Sequence, residues 1–268
     1  MNIRINEQIT TITDGLTMGE LAACHKPGAD VLILNGFPVP ADTVIHEGDG
    51  VFLILRGEEP TETELEYLMA ARHTPGVHAR LKAGVVGIAG VGGLGSAVAV
   101  ALARVGVGRI VIADFDVVEP SNLNRQQYFI DQLGMLKVAA LAENLRRINP
   151  YVLIQQYPVL LDPINIPTVF SGCSLIVEAF DRADMKAMLV NTVLEQMTGV
   201  TVIAASGLAG YGSNNTIITN KISGRLYLVG DGISEAQPGN GLMAPRVGIA
   251  AGHQANQVVR CLLGENLA

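Results

Sequence analysis

The sequence predicts an α/β protein: a doubly wound, mostly parallel sheet preceded by a small and separate β-rich module. Three observations carry this. Residues 85–91 are an apolar, β-branched run that reads as a buried strand, and it leads into the glycine-rich loop of GVVGIAGVGGLGS (84–96). Strand-like and helix-like stretches then alternate as far as residue 206, the pattern of a parallel sheet with helices on its faces. The first 57 residues follow another order, with four short strands and one helix.

Composition narrows the class. With 49% apolar and 16% charged residues, the 268-residue chain is globular, not disordered, and long enough for one large or two smaller domains. A net charge of −7, with no basic cluster to offset it, argues against nucleic acid or an anionic membrane surface as a partner. Cys24, Cys173 and Cys261 are far apart and never form a CxxC pair. That leaves no disulfide framework and no cysteine zinc site, so no zinc is expected and a reducing compartment fits. The start, MNIRINEQ, lacks an apolar signal core, which predicts a cytoplasmic protein. Residues 83–103 are uncharged and long enough for a membrane span, but six glycines interrupt them, and a strand, loop and helix explain them better.

Along the first module, MNIRIN alternates like a strand, and ITTIT follows the Asn6-Glu7 turn as a second. LTMGELAAC (16–24) suits a short helix with Thr17 as N-cap. VLILNG (31–36) and GVFLILRG (50–57) are further strands, with turns at Pro38, Pro40 and Gly48-Asp49. This β-β-α-β-β order is that of a β-grasp, ubiquitin-like module. The stretch LNGFPVPADTVIHEGDGVFLILRG resembles the ThiS sulfur carriers of thiamine biosynthesis. A working carrier ends in a free Gly-Gly carboxylate, whereas here the strand runs on into RGEEPTETELEYL. The module (1–57) therefore reads as a packing or docking domain and not as an adenylylated substrate.

Residues 58–83 form a helical linker, with an acidic-led helix over 58–73 capped by Thr61 or Thr63. From 84 to 268 the pattern predicts strand 84–91, helix 96–105, strand 109–114, a helix around 135–148 and strand 152–157. A proline-punctuated segment (162–170), strand 174–179, helix 184–197 and strand 200–206 follow. Two short strands, NTIITN and RLYLVG, and the helix VGIAAGHQANQVVRCLL close the chain.

Gly90, Gly92 and Gly95 have the G-x-G-x-x-G spacing of a Rossmann-like nucleotide loop. One glycine makes the turn, one admits a phosphate to bare backbone, and one lets helix and strand pack closely. The helix start beyond them offers unpaired N–H groups to an anion. Asp114, nineteen positions after Gly95, stands where a ribose-binding carboxylate belongs. Gly90, Gly92, Gly93, Leu94, Gly95 and Asp114 are thus the expected cofactor-binding residues.

The sharpest signal is DFDVVEPSNLNRQQYF (114–129), followed by LGMLKVAALAENLRRINP (133–150) and EAFDRADMK (178–186). With GVGGLGS, this trio resembles the ThiF/MoeB family of adenylyltransferases, E1-like relatives of the ubiquitin-activating enzymes, over residues 70–206. The fused ThiS-like module makes its ThiF branch the nearest fit. The resemblance implies ATP- and Mg²⁺-dependent adenylylation of the C-terminal glycine of a ThiS-like sulfur carrier, in a homodimer. It implies catalytic roles for Arg125 and Lys137 on phosphate, Asp181 as a Mg²⁺ ligand, and Asp114 on the ribose. Asn122 would hold the loop or touch phosphate, and Asp116 would support the site or shape the loop. An arginine ahead of the first strand of the large domain would reach ATP, Arg72 before Arg80. Two family features are missing: the paired CxxC zinc ligands, and a cysteine in the loop GLAGYGSNNTI for covalent capture of the carrier. Cys173 and Cys261 read as core residues, and the five histidines (25, 46, 73, 78, 253) show no metal-ligand spacing. Two other readings stay open: a non-catalytic protein that senses nucleotide or docks a carrier, and an NAD-dependent oxidoreductase using the same glycine loop and Asp114.

Overall fold

Alternation makes the first strand two-faced. In β1 (Asn2–Ile5), Ile3 and Ile5 are buried while Asn2 and Arg4 face solvent. The computed structural model describes residues 1–6, 8–73 and 76–265. The chain falls into two units, Met1–His78 and Ala79–Ala268. Asn6 takes a left-handed turn conformation (φ 44°) before β2 (Gln8–Thr11), and Glu7 of the expected turn lies outside the described residues.

The first unit continues with α1 (Met18–His25), β3 (Val31–Leu34), β4 (Phe37–Pro38) and β5 (Gly50–Ile54). Its five-stranded sheet has the order β2-β1-β5-β3-β4, with β1 and β5 parallel and the other pairs antiparallel. Thr17 caps α1 in a reciprocal box with Glu20, and Met18 and Leu21 bury against Ile3, Ile45, Val51 and Leu53. In place of a free tail, the chain turns into α2 (Glu62–His73), whose N-terminus Thr61 caps in a second box with Glu64. Lys26 pairs with Glu64 at 3.0 Å and with Glu58 at 3.4 Å. The Thr61 N–H and then the Lys26 ammonium hold the Glu64 carboxyl below its ordinary range.

After α3 (Val77–Lys82), the second unit runs β6 (Val85–Ala89), α4 (Gly93–Arg104), β7 (Arg109–Ala113), α5 (Lys137–Ile148) and β8 (Leu153–Tyr157). Then come α6 (Ile166–Val169), β9 (Leu175–Glu178), α7 (Ala183–Gln196), β10 (Thr201–Ala205), β11 (Ile218–Ser223), β12 (Leu226–Gly230) and α8 (Ala244–Leu262). The sheet order is β11-β12-β10-β9-β6-β7-β8, parallel throughout except for β11, which is antiparallel to β12. The strand order reverses between β6 and β9, so a crevice opens beyond their carboxyl ends. One face of the sheet packs on α4, α5 and α8, the other on α6 and α7. Among the described residues, no helix is long and apolar enough to cross a membrane.

Two local differences from the sequence pattern have physical causes. The helix expected from Ser96 starts at Gly93 with Gly92 as its N-cap, because its cap and two residues of its first turn are glycines, of poor helix propensity, where the backbone must pass bare. Residues 162–170 hold the short helix α6, opened by Pro167 in its first turn.

Candidate active site

The glycine loop is fixed by contacts a side chain would break. Gly90 takes φ 85° at the end of β6, and its N–H donates to the Ala113 carbonyl of β7 at 2.9 Å. A Cβ on Gly95 would lie 1.9 Å from the Gly90 carbonyl oxygen, so this glycine permits α4 to start against the strand end. At Gly92 a Cβ would meet nothing nearer than Gln126 at 3.8 Å, because that position faces the cleft. No side chain caps α4, which leaves its first-turn N–H groups open to an anion.

Asp114 follows β7 directly and locks the loop's far end. Its Oδ2 accepts from the Val91 N–H at 2.8 Å and its Oδ1 from the Asp116 N–H at 2.9 Å. The buried Tyr128 hydroxyl donates to the Val91 carbonyl at 2.7 Å; burial, and then Asp114 nearby, push its phenol well above the ordinary range. Asp116 pairs with the Lys137 ammonium at 2.8 Å, and Lys137 itself is 6% exposed. Asn122 is buried and accepts the Glu119 N–H at 3.0 Å, so it shapes the loop from within. Arg125 lays its stem on the first turn of α4, its Cγ 3.3 Å from where a Gly93 Cβ would be. Its guanidinium donates to the Ser121 carbonyl and to Asn124 Oδ1.

Gly90, Gly92, Gly93, Asp114, Asp116, Asn122, Arg125 and Lys137 line one cleft of about 1060 Å³ at the switch point, together with Leu94, Asp181, Arg182 and Lys186, whereas Gly95 packs against Gly90 and does not line it. Of its four cationic side chains, three already face a carboxylate: Lys137 on Asp116, Arg182 on Asp184, and Lys186 on Glu178. Arg125 has no carboxylate partner among the described residues. Asp181 is exposed on the cleft wall, and its carboxylate meets no donor among the described residues. One open carboxylate beside phosphates suits Mg²⁺, which keeps most of its waters. No group of three or more metal-ligating side chains occurs among the described residues.

The arginines ahead of β6 fare differently. The side chain of Arg72 lies outside the described residues. Arg80 donates to the Leu263 carbonyl at the end of α8 (2.8 Å) and does not line the cleft. Cys173 is buried, and burial pushes its thiol up to about 12.

Two buried charged groups lie behind the cleft lining. Glu178, wholly buried at the end of β9, accepts from the Phe180 N–H (2.7 Å), the Ala205 N–H (3.3 Å) and the Lys186 ammonium (3.0 Å). Burial pushes its carboxyl up against the pull of Lys186. On the far wall, Arg246 and Asp231 form a buried ion pair at 2.7 Å beneath the loops after β10 and β12. In the sequence Glu178 is the first residue of EAFDRADMK, directly after the apolar LIV, and Arg246 is a lone charge before VGIAA; neither pattern assigns it a role.

Fold and site together define a doubly wound α/β protein with a glycine-loop cleft at its switch point, fused to a small ubiquitin-like unit. The chain belongs to the ThiF family, whose model matches residues 67–268. Residues 1–57 match the ThiS-like ubiquitin family. The adenylyltransferase and sulfurtransferase UBA4 of Saccharomyces cerevisiae (strain ATCC 204508 / S288c) is 32% identical over 206 residues, 73% of this chain and 46% of that protein. The chain thus spans about half the length of the curated relatives it matches. Two solved structures share the fold. The E. coli tRNA N6-threonylcarbamoyladenosine dehydratase TcdA, in complex with ATP, has a TM-score of 0.69 at 20% identity over 78% of this chain and 98% of that one. E. coli MccB, with AMPCPP and MccA, has a TM-score of 0.57 at 22% identity over 76% and 64%.

Proposed function

We propose that the chain is an ATP-dependent adenylyltransferase acting on the C-terminal glycine carboxylate of a separate ThiS-like sulfur carrier of the thiamine type. The observation that supports this reading is the convergence on one cleft of an uncapped glycine-loop helix start, Asp114, the carboxylate-free Arg125 and the unpartnered Asp181. Family membership and the curated relatives support it further. A hydride-transfer enzyme would have no need of cations and an open carboxylate gathered at the phosphate end.

The chemistry asks for alignment more than for proton transfer. A carboxylate is already ionised at neutral pH, so its attack needs no general base. Its oxygen bonds to the α-phosphorus while the bond from that phosphorus to the pyrophosphate oxygen breaks, and pyrophosphate leaves with the electron pair. Asp114 would take the ribose hydroxyls on the lone pairs its two backbone bonds leave open. The planar fork of Arg125 would clamp phosphate oxygens, and Lys137, seated on Asp116, adds a fixed positive charge. Mg²⁺, held by Asp181, would neutralise phosphate charge.

In this reading residues 1–57 are a docking module, 58–83 a linker and 84–268 the adenylylating domain, working in the cytoplasm. The exposed apolar side chains Phe115, Val117, Phe129, Ile130, Leu133 and Leu136 favour a homodimer. ATP–pyrophosphate exchange tests the reading: exchange that appears only when a ThiS-like carrier is added supports it. Tight NADH binding with no exchange would favour the oxidoreductase instead.

A further inference from the structure

The wall of the cleft opposite the glycine loop is built from backbone. Ser206, Gly207, Leu208 and Ala209, directly after β10, line it, joined by Ser234, Glu235 and Ala236 from the loop after β12. Among the described residues, the N–H groups of Gly207, Leu208 and Ala209 meet no protein acceptor. Such a run of N–H groups without a protein acceptor, beside mostly small side chains, suits the carbonyl groups of an extended polypeptide end.

The two loops meet through the Asp231 N–H on the Gly207 carbonyl (2.9 Å) and the Gly232 N–H on the Ser206 carbonyl (3.1 Å), and one ion pair fastens both from below. The guanidinium of Arg246, 4% exposed in the first turns of α8, donates to the carbonyls of Gly212 and Ser213 (3.0 Å each), to Thr216 Oγ1 (3.1 Å) and to Asp231 Oδ2 (2.7 Å). Asp231 in turn accepts from the N–H groups of Ile233 (2.9 Å) and Ser234 (2.8 Å) and from the Ser234 hydroxyl. The first loop crosses so close that a Cβ on Gly207 would stand 2.2 Å from Asp231 Oδ1. Only a planar fork satisfies four acceptors spread over three segments at once.

Resting on the adenylylation reading, we infer that Arg246 and Asp231 are positioning residues. They hold the backbone wall in the shape that receives the second substrate, a small-residue polypeptide C-terminus, while touching neither that substrate nor ATP. Loosening the latch should therefore weaken carrier binding selectively, since the nucleotide side rests on β6, α4 and Asp114.

The test compares wild-type protein with Arg246→Met, Arg246→Lys and Asp231→Asn, each first shown to be folded by its melting curve. Asp231→Asn keeps the size and much of the hydrogen bonding, so it covers the case in which Arg246→Met does not fold. ATP affinity is measured by calorimetry, and AMP transfer to purified ThiS is followed against carrier concentration. The expected result is a KM for ThiS raised at least about tenfold in Arg246→Met and Asp231→Asn, with ATP affinity within about twofold of wild type, and partial recovery in Arg246→Lys. An unchanged KM for ThiS, a matching loss of ATP affinity, or a fall in kcat alone would overturn the latch. Wild-type protein that binds ATP but transfers AMP to no carrier would overturn the adenylylation reading, and the inference with it.

Discussion

Gly92 and Gly95 belong to one loop motif, yet the structure gives them different work, and an alanine at each should separate the two. A Cβ at residue 95 would stand 1.9 Å from the Gly90 carbonyl oxygen and 3.0 Å from its carbon. Both are backbone atoms between buried strand and helix, so relief requires α4 to move off β6. Overpacking of this kind costs ~3 kcal/mol, the upper end of its usual range. In a unit of this size that lowers the melting temperature by roughly 6–12 °C. At residue 92 the nearest atom to a Cβ is 3.8 Å away and φ is −72°, so Gly92→Ala should melt within a few degrees of wild type. Its methyl group instead enters the cleft, where a phosphate would approach bare backbone. ATP affinity should fall at least about tenfold, ~1.4 kcal/mol. Calorimetry gives both quantities, a thermal scan for each variant and an ATP titration. A Gly95→Ala protein that melts with wild type would refute the packing argument. A Gly92→Ala protein that binds ATP at full strength would refute the placement of phosphate.

Three further predictions follow from particular side chains. Asp181→Ala should stay folded and keep ATP affinity without metal within a few-fold, but lose carrier-dependent pyrophosphate exchange; normal exchange would remove the metal assignment. Burial alone would raise the Asp231 carboxyl, but hydrogen bonds from Ser234 and Ile233, and then Arg246, hold it down to about 2. A depressed folded-state value means stability that is present above the unfolded value of about 4 and lost as the pH falls towards 2. The stability gap between wild type and Asp231→Asn should therefore close across that window in acid denaturation followed by circular dichroism, and a gap constant to pH 2 would count against it. Alkylation of the native protein at pH 8, mapped by peptide mass spectrometry, should label the exposed Cys24 and spare Cys173, whose thiol burial raises to about 12. Rapid labelling of Cys173 would contradict its placement in the core.

The parts of the site that were legible in sequence are those made by neighbours in the chain. The glycine loop, the following strand and Asp114 lie within a single β-loop-α-β unit, where spacing alone implies a phosphate turn and a carboxylate beyond it. The Thr17–Glu20 cap is visible for the same reason. What sequence could not disclose are contacts set by the sheet order. Glu178 meets Ala205 because β9 and β10 are paired, and Arg246 reaches residue 212 because α8 returns beneath the crossover loop. A charge buried by such contacts looks, along the chain, like one polar residue in an apolar stretch. The start of α4 lies three residues ahead of its sequence pattern because Gly92, Gly93 and Gly95 make up its cap and half of its first turn, which propensity assigns to a loop and an uncapped anion site demands. Roles for Arg125 and Asp181 came from motif resemblance. The structure adds a charge argument: Arg125 is the cleft cation left without a carboxylate among the described residues, and Asp181 is a cleft carboxylate that meets no donor among them.

The most direct measurement is mass spectrometry of purified ThiS and related carriers after incubation with this protein, ATP and Mg²⁺. The account predicts that one carrier gains the mass of AMP at its C-terminal glycine, and that the gain disappears with Asp181→Ala. No adduct on any carrier, in protein that separately binds ATP, would contradict it and point to nucleotide sensing or carrier docking without turnover.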